Sequence, residues 1–279
     1  MRCTDGGLLW SNSYPTDFGG KSGIFGFSDC PVVYEDTVLC TPGGPDASIV
    51  ALDKWTGKVL WKCAVPEAGG TAYSNGVVAE IAGQLQFVTF LEKTLVGVDV
   101  DKGKLLWRND EFVTPFLHPH TPLIRGNVIT CIGTPNGTEA SIRRLAIERS
   151  SKGIVSRELF SSNTRFVSRY TDDTVHLDDR IYESDNGLFS CFDLKSTTMR
   201  WRNRMGGSST ITYADQRFYF HGSRVISHQF EIPGVPPDKV VVAESTEDGA
   251  KHTLTWLFSV TVSITTQSLA KGFQSLKTT

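Results

Sequence analysis

The sequence predicts an all-β protein: a β-propeller of four-stranded antiparallel blades, with about four complete repeats plus partial blades in an open or incomplete ring. Three observations predict it. A tryptophan recurs eight residues after an acid, as Asp53 to Trp61, Asp99 to Trp107 and Asp193 to Trp201. The recurrence is periodic, with 46 residues from Trp61 to Trp107, 94 from Trp107 to Trp201 and 51 from Trp10 to Trp61. Each period holds short apolar runs broken by turn residues, with no helical stripe. A period of about 40–50 residues marks a repeat architecture in which each unit is one supersecondary element.

The elements follow in chain order. Gly6-Gly7-Leu8-Leu9-Trp10 reads as the last strand of a blade whose other strands do not precede it in this chain, so the start looks truncated. In the clearest repeat, Pro31 to Cys40 is two apolar runs parted by Glu35-Asp36, Ser48 to Leu52 is a third, and Val59 to Trp61 begins a fourth. Between the third and fourth, Asp53 can accept backbone N–H groups across the bend and Gly57 can take a positive φ. Trp61 then leaves the turn as a flat apolar body suited to a wedge between sheets. The innermost-strand pattern returns at 75–83, 121–129, 173–181 and 210–218. Complete blades are expected near residues 25–65, 72–110, 118–162 and 166–205. The third copy is eroded: Glu148 to Arg157 has one inserted residue and an arginine where the tryptophan is expected. Ala51, Asp53, Gly57, Trp61, Asp99, Gly103, Trp107, Asp193 and Trp201 are therefore the candidate blade-docking residues.

After Tyr219 to Arg224, which begins another blade, no acid–turn–glycine–tryptophan string appears. The chain is divided accordingly into repeats at 1–243 and a C-terminal tail at 244–279. That tail reads as a divergent strand pair, a disordered end or a frame artefact. An open arc of blades exposes unpaired backbone and should self-associate, whereas a ring closed by the two termini should not.

The string Ala51-x-Asp53-x-x-Thr56-Gly57-x-x-x-Trp61 resembles the tryptophan-docking motif of the pyrroloquinoline-quinone (PQQ)-like β-propeller repeat family. Asp17-Phe-Gly-Gly20, Cys40-Thr-Pro-Gly-Gly44 and Val50 to Lys54 further resemble its bacterial PQQ-binding-like members, related to outer-membrane protein assembly factor B. The resemblance covers roughly residues 1 to 240. It implies either a non-enzymatic propeller that presents loops or a sheet edge to partners, or a quinoprotein oxidoreductase holding PQQ with calcium on the propeller axis. The enzyme reading implies a chain about twice this length, eight blades, a catalytic aspartate and a calcium site of Glu, Asn and Asp. No residue here aligns with those positions, and the vicinal cysteine pair of many such dehydrogenases is missing. The reading is therefore a scaffold for a protein partner or small ligand at a propeller face, with no cofactor. A fragment of a PQQ- and calcium-dependent oxidoreductase is the alternative.

Composition narrows the remaining classes. The formal net charge is −2 and the pI near 6.3, so no basic surplus draws nucleic acid. No run of eighteen apolar residues predicts a membrane-spanning helix. The N-terminus shows no hydrophobic leader core, which alone reads as cytoplasmic, while the resemblance implies a periplasmic or extracytoplasmic site; localisation stays open. The six cysteines include no C-x-x-C and read as small buried residues. His118 and His120 share a strand face and could form half a metal site with His176 and Asp178 or Asp179, but the acids fall in turns, and no metal is expected. G-x-S-x-G, P-loop and G-x-G-x-x-G motifs are absent.

One default site remains. Residues just before each innermost strand surround the channel mouth of a propeller, and the repeat alignment places Ser28, Asp29, Tyr73, Ser74, His118, His120, Arg169, Tyr170 and Ser208 there. Polar and aromatic groups converging from several blades suit a ligand or peptide. No catalytic residue is assigned.

Overall fold

The computed structural model describes residues 4–112, 120–134, 140–164, 174–185, 188–196, 198–204, 209–214, 217–222, 240–245, 251–256 and 261–265. The chain divides into two compact units, Met1–Asp172 and Asp173–Thr279.

The first unit opens with a short helix, α1 (Tyr14–Phe18), closed by Gly19 in the left-handed region. Three four-stranded antiparallel sheets follow, each in sequential order. The first contains β1 (Val32–Tyr34), β2 (Thr37–Cys40), β3 (Ile49–Asp53) and β4 (Val59–Cys63). The second contains β5 (Val77–Ile81), β6 (Gln84–Leu91), β7 (Thr94–Asp99) and β8 (Leu105–Asn109). In the third are β9 (Leu123–Arg125), β10 (Val128–Gly133), β11 (Ala140–Ser150) and β12 (Gly153–Thr164). These are the meanders expected at the first three complete repeats.

Two-residue turns join the first two strands of each sheet, with Tyr34 opposite Thr37 and Ile81 opposite Gln84. Glu35, Ala82 and Gly126 take positive φ there, as tight hairpin turns require to match the strand twist. The middle strands are apolar on both faces because both faces are covered: every residue of β7 is buried, as are Leu39 and Cys40 of β2. Leu39, Ile49 and Ala51 pack with Phe87, Val96 and Val98 between the first and second sheets. Phe90, Leu95 and Trp107 pack with Ile129, Leu145 and Ile154 between the second and third. Each large apolar side chain sealed there contributes about 1.5–3 kcal/mol. The opposite face of the first sheet is closed by Phe18, with Trp10 and Tyr14 partly buried against it.

In the second unit, β13 (Thr174–Leu177), β14 (Arg180–Asp185), β15 (Leu188–Asp193) and β16 (Thr198–Arg204) make a fourth sheet of the same order. The fifth sheet departs from the pattern. It runs β17 (Ser209–Ala214), β18 (Arg217–Gly222), β19 (Val240–Ser245), β20 (Lys251–Trp256), β21 (Thr261–Thr265), and β19 lies parallel to β18. A parallel neighbour needs a crossover of about a dozen residues or more, and 17 residues, 223–239, separate the two strands. Tyr182 and Phe189 of the fourth sheet meet Phe218 of the fifth at 4.7 and 5.8 Å between ring centroids.

Candidate functional site

The aspartate of the repeat turn accepts backbone N–H groups in the same way three times. Asp53 Oδ1 accepts the N–H groups of Trp55 and Thr56 at 3.1 and 2.7 Å and the Thr56 hydroxyl at 2.7 Å. Asp99 Oδ1 accepts from Asp101 and Lys102, and Asp193 Oδ1 from Lys195 and Ser196. These bonds hold the Asp53 and Asp193 carboxyls below their ordinary pKa, chiefly through Thr56 and Ser196 respectively. Gly57 and Gly103 sit at φ 70° and 64° and donate to the aspartate carbonyls.

The tryptophans divide into two kinds of contact. Trp10 lies over Gly57, where a Cβ would stand 2.6 Å from the ring, and its Nε1 donates to the Lys54 carbonyl at 2.9 Å. Trp61 repeats this one blade on, over Gly103 with Nε1 donating to the Val100 carbonyl at 2.9 Å. Each indole therefore latches its own blade to the turn of the next. Trp107 does not: its Nε1 donates to Gln86 Oε1 at 2.7 Å within its own sheet, and its ring covers Gly97 so closely that no Cβ could be accommodated. The third repeat explains the change. Its hairpin closes as Ser150 opposite Gly153, its bulge has moved to Arg144/Leu145, and Arg157 occupies the tryptophan's register opposite Ala146. Arg157 pairs with Glu148 at 2.6 Å instead of latching onward, and nothing lies within 4 Å of a Cβ at Gly153. Arg149 supplies a different clamp, donating to the Ala82 and Gly83 carbonyls at 2.7 and 3.2 Å. In the second unit Trp201 stands opposite Cys191 and packs on Phe189 with centroids 5.2 Å apart.

The strand-entry loops of the first two blades are tied together. The Ser28 hydroxyl donates to the Tyr73 carbonyl at 3.4 Å and Cys30 N–H to Asn75 Oδ1 at 2.8 Å. Asp29 turns inward instead, with Oδ2 accepting from the Thr41 hydroxyl at 2.6 Å and from the Tyr14 hydroxyl at 3.5 Å. Burial raises the Asp29 carboxyl above its ordinary pKa despite the Thr41 bonds that oppose it. Burial, with Cys40 and Asp29 adjoining, raises the Tyr14 hydroxyl too. Asp29 Oδ1 and the Ser74 hydroxyl are buried without hydrogen-bond partners among the described residues. Tyr73 holds the neighbouring 22–27 loop: its hydroxyl accepts Phe25 N–H at 3.1 Å, and its ring meets the Phe25 ring edge-on at 5.8 Å. His120 is buried. His118, Arg169, Tyr170 and Ser208 lie outside the described residues.

Sequence reasoning missed Tyr14, Thr41, Gln86 and Gly97. Gly97 had a signal, since it stands where Ala51 and Cys191 stand. The others had none, because α1 lies outside the repeat and Gln86 matters only through the fold-back of Trp107. Among the described residues no group of three or more His, Cys, Asp or Glu side chains is placed to hold a metal. Cys40, Cys63, Cys131 and Cys191 are buried free thiols and Cys30 is exposed. Burial pushes Cys40 and Cys63 up to about 11 and Cys131 to about 12, so none is a ready thiolate.

No curated protein sequence matches the chain. Among solved structures, BamB from Moraxella catarrhalis is 11% identical with a TM-score of 0.47, covering 83% of this chain and 62% of that one. Sqt1 from Saccharomyces cerevisiae is 14% identical with a TM-score of 0.48, covering 79% of this chain and 66% of that one. The chain thus spans less than two thirds of either. The family described as outer membrane protein assembly factor BamB matches residues 2–203, the span of the four meander sheets described above, and the chain belongs to that family.

Proposed function

We propose that the protein is a non-enzymatic scaffold that binds another polypeptide through its blade loops and sheet edges. The observation that carries this reading is the family match across residues 2–203, because that family's name is that of an assembly factor. The chemistry of the described residues agrees with it. The aspartates of the repeat turns spend Oδ1 on backbone N–H groups, the buried thiols are held protonated, and Ser28 and Cys30 bond the entry loop of the next blade. PQQ with calcium is the reading this displaces: the described residues assemble no acidic donor set that fits calcium, and the sequence has no adjacent cysteines. A small ligand at the entry loops is the weaker half of the scaffold reading, motivated by the buried oxygens of Asp29 and Ser74.

The test is a titration of a fluorescently labelled, unfolded outer-membrane β-barrel polypeptide with the full chain, read by anisotropy. Saturable association in the micromolar range is expected. A flat signal, together with one-to-one binding of PQQ in the presence of calcium, would replace the scaffold with the oxidoreductase.

A further inference from the structure

Asp29 is bonded on one side only. Its Oδ2 accepts from the Thr41 hydroxyl at 2.6 Å, the Thr41 N–H at 3.4 Å and the Tyr14 hydroxyl at 3.5 Å, while Oδ1, shut off from solvent, accepts nothing. All three donors are neutral, so a buried carboxylate oxygen is left among the described residues with neither a hydrogen bond nor a counter-charge. The Ser74 hydroxyl is a second unpartnered group, on a residue only 2% exposed. Two bonds set these residues side by side. Ser28 Oγ donates to the Tyr73 carbonyl and Cys30 N–H to Asn75 Oδ1, so positions 29 and 74 stand level on adjoining entry loops, each three residues before the innermost strand of its blade. Ser28 and Cys30 are exposed, whereas Asp29 Oδ1 and Ser74 turn inward. His120, three residues before β9, is buried at the same position of the third blade.

The two groups define the chemistry of their complement. A buried polar atom left unpaired costs about 1–3 kcal/mol, and more when it is charged, so a group that pairs both oxygens recovers that cost. An ionised carboxylate oxygen only accepts and a hydroxyl oxygen accepts as well as donates, which calls for a group with several donors and no acceptor. It must also be a cation, because none of the partners of Asp29 is one. Room between loops tied by bonds of 2.8 and 3.4 Å is small, and this suits the compact point charge of an ammonium over the planar fork of a guanidinium. A metal ion would need further ligands, and among the described residues no group of three His, Cys, Asp or Glu side chains is placed to supply them.

We propose that Asp29 Oδ1 and Ser74 Oγ form a buried subsite for a primary ammonium group, presented by a lysine side chain of a bound polypeptide or by a free alkylamine. The entry loops part to admit it, and the bond that yields is the longest of those tying them, from Ser28 Oγ to the Tyr73 carbonyl. The inference rests on the scaffold reading with its ligand at the entry loops, and it names the chemical class that ligand carries.

The experiment follows backbone amide chemical shifts of the full chain by NMR near neutral pH as n-butylamine, an analogue of the lysine side chain, is added. The uncharged control of the same shape is n-butanol. Saturable shifts at amides 28–30, 41 and 73–75, with a Kd of order millimolar, are expected for the amine and none for the alcohol. Asp29→Asn, which keeps the size of the side chain, should weaken amine binding by about tenfold or more, and Ser74→Ala by a smaller factor. The tripeptide acetyl-Gly-Lys-Gly-amide separates the sources: binding tighter than that of butylamine assigns the subsite to a polypeptide lysine, weaker binding to a free amine, and either supports the ammonium. No saturable shift with amine or tripeptide overturns the proposal and leaves the two oxygens to an ordered water. Equal shifts with butanol overturn it as well, as does binding to Asp29→Asn as tight as to the wild type, which would put the ammonium on exposed acids. The comparison of amine with alcohol uses the wild-type chain alone, so it decides the matter even if Asp29→Asn does not fold. A flat shift map beside a saturable anisotropy titration removes the subsite and leaves the scaffold, whereas a flat anisotropy titration removes the scaffold itself.

Discussion

The indole of Trp61 lies so close over Gly103 that a Cβ at position 103 would stand 2.5 Å from the ring, although the two residues belong to consecutive blades. One residue is the last large side chain of its blade and the other is the turn of the next, so each needs the other's identity. The first prediction is a double-mutant cycle. Trp61→Ala should cost about 3 kcal/mol, and Gly103→Ala about 1–3 kcal/mol from overpacking together with its left-handed φ. In the Trp61→Ala background the Gly103→Ala cost should fall, leaving only the backbone share. Additive losses in thermal or urea unfolding would show that the ring does not bear on the glycine. Trp55→Ala, at a 64% exposed turn position, should change stability by less than about 1 kcal/mol.

Trp107 supports a different expectation. Because its N–H satisfies the buried amide oxygen of Gln86, Trp107→Phe should cost about 1–3 kcal/mol beyond the loss of ring size. Trp107→Phe combined with Gln86→Leu should recover part of that loss. Chemical denaturation of the three variants measures it, and a double variant weaker than the single one would contradict the pairing.

Two aspartates should respond oppositely to pH. Burial raises the Asp29 carboxyl above its ordinary 3.8, so its stability contribution is present below that value and lost as pH rises through the folded pKa. Asp29→Asn should therefore gain in Tm relative to the wild type as pH is raised from about 3 to 7. Asp53 is held below 3.8 by Thr56; its contribution is present above 3.8 and lost as pH falls through the lowered value. Asp53→Asn should accordingly gain on the wild type as pH falls. Tm differences that do not change with pH, or that move together, would reject the assignments.

The cofactor expectation is direct. Purified chain incubated with PQQ and calcium should show no saturable binding in the micromolar range and should not reduce an artificial electron acceptor in the presence of alcohols or sugars. Titration by absorbance and calorimetry checks it, and one-to-one stoichiometry would favour the oxidoreductase.

Periodicity made the blades legible from the chain alone. An acid that caps a turn, a glycine with positive φ and a tryptophan four residues later are local requirements, so they leave local marks at Asp53 and Asp99, while the Asp193 copy keeps the acid and the tryptophan with Thr197 in the glycine's place. Alternation of apolar runs with two-residue turns then placed sixteen strands, β1 to β16, in four meanders. Three features depended on contacts distant in sequence and left no such mark. Trp61 and Trp107 are the same residue in the same motif, yet one latches outward and the other folds onto Gly97, because the altered hairpin at Ser150 to Gly153 presents no equivalent platform. Asp29 turns toward Tyr14 and Thr41, and Tyr73 braces Phe25, because only the folded loops bring α1 and the 22–27 segment against them. The parallel pairing of β18 with β19 likewise depends on strands separated by 17 residues, a choice made by long-range hydrogen bonding, of which the residues of neither strand carry a signal.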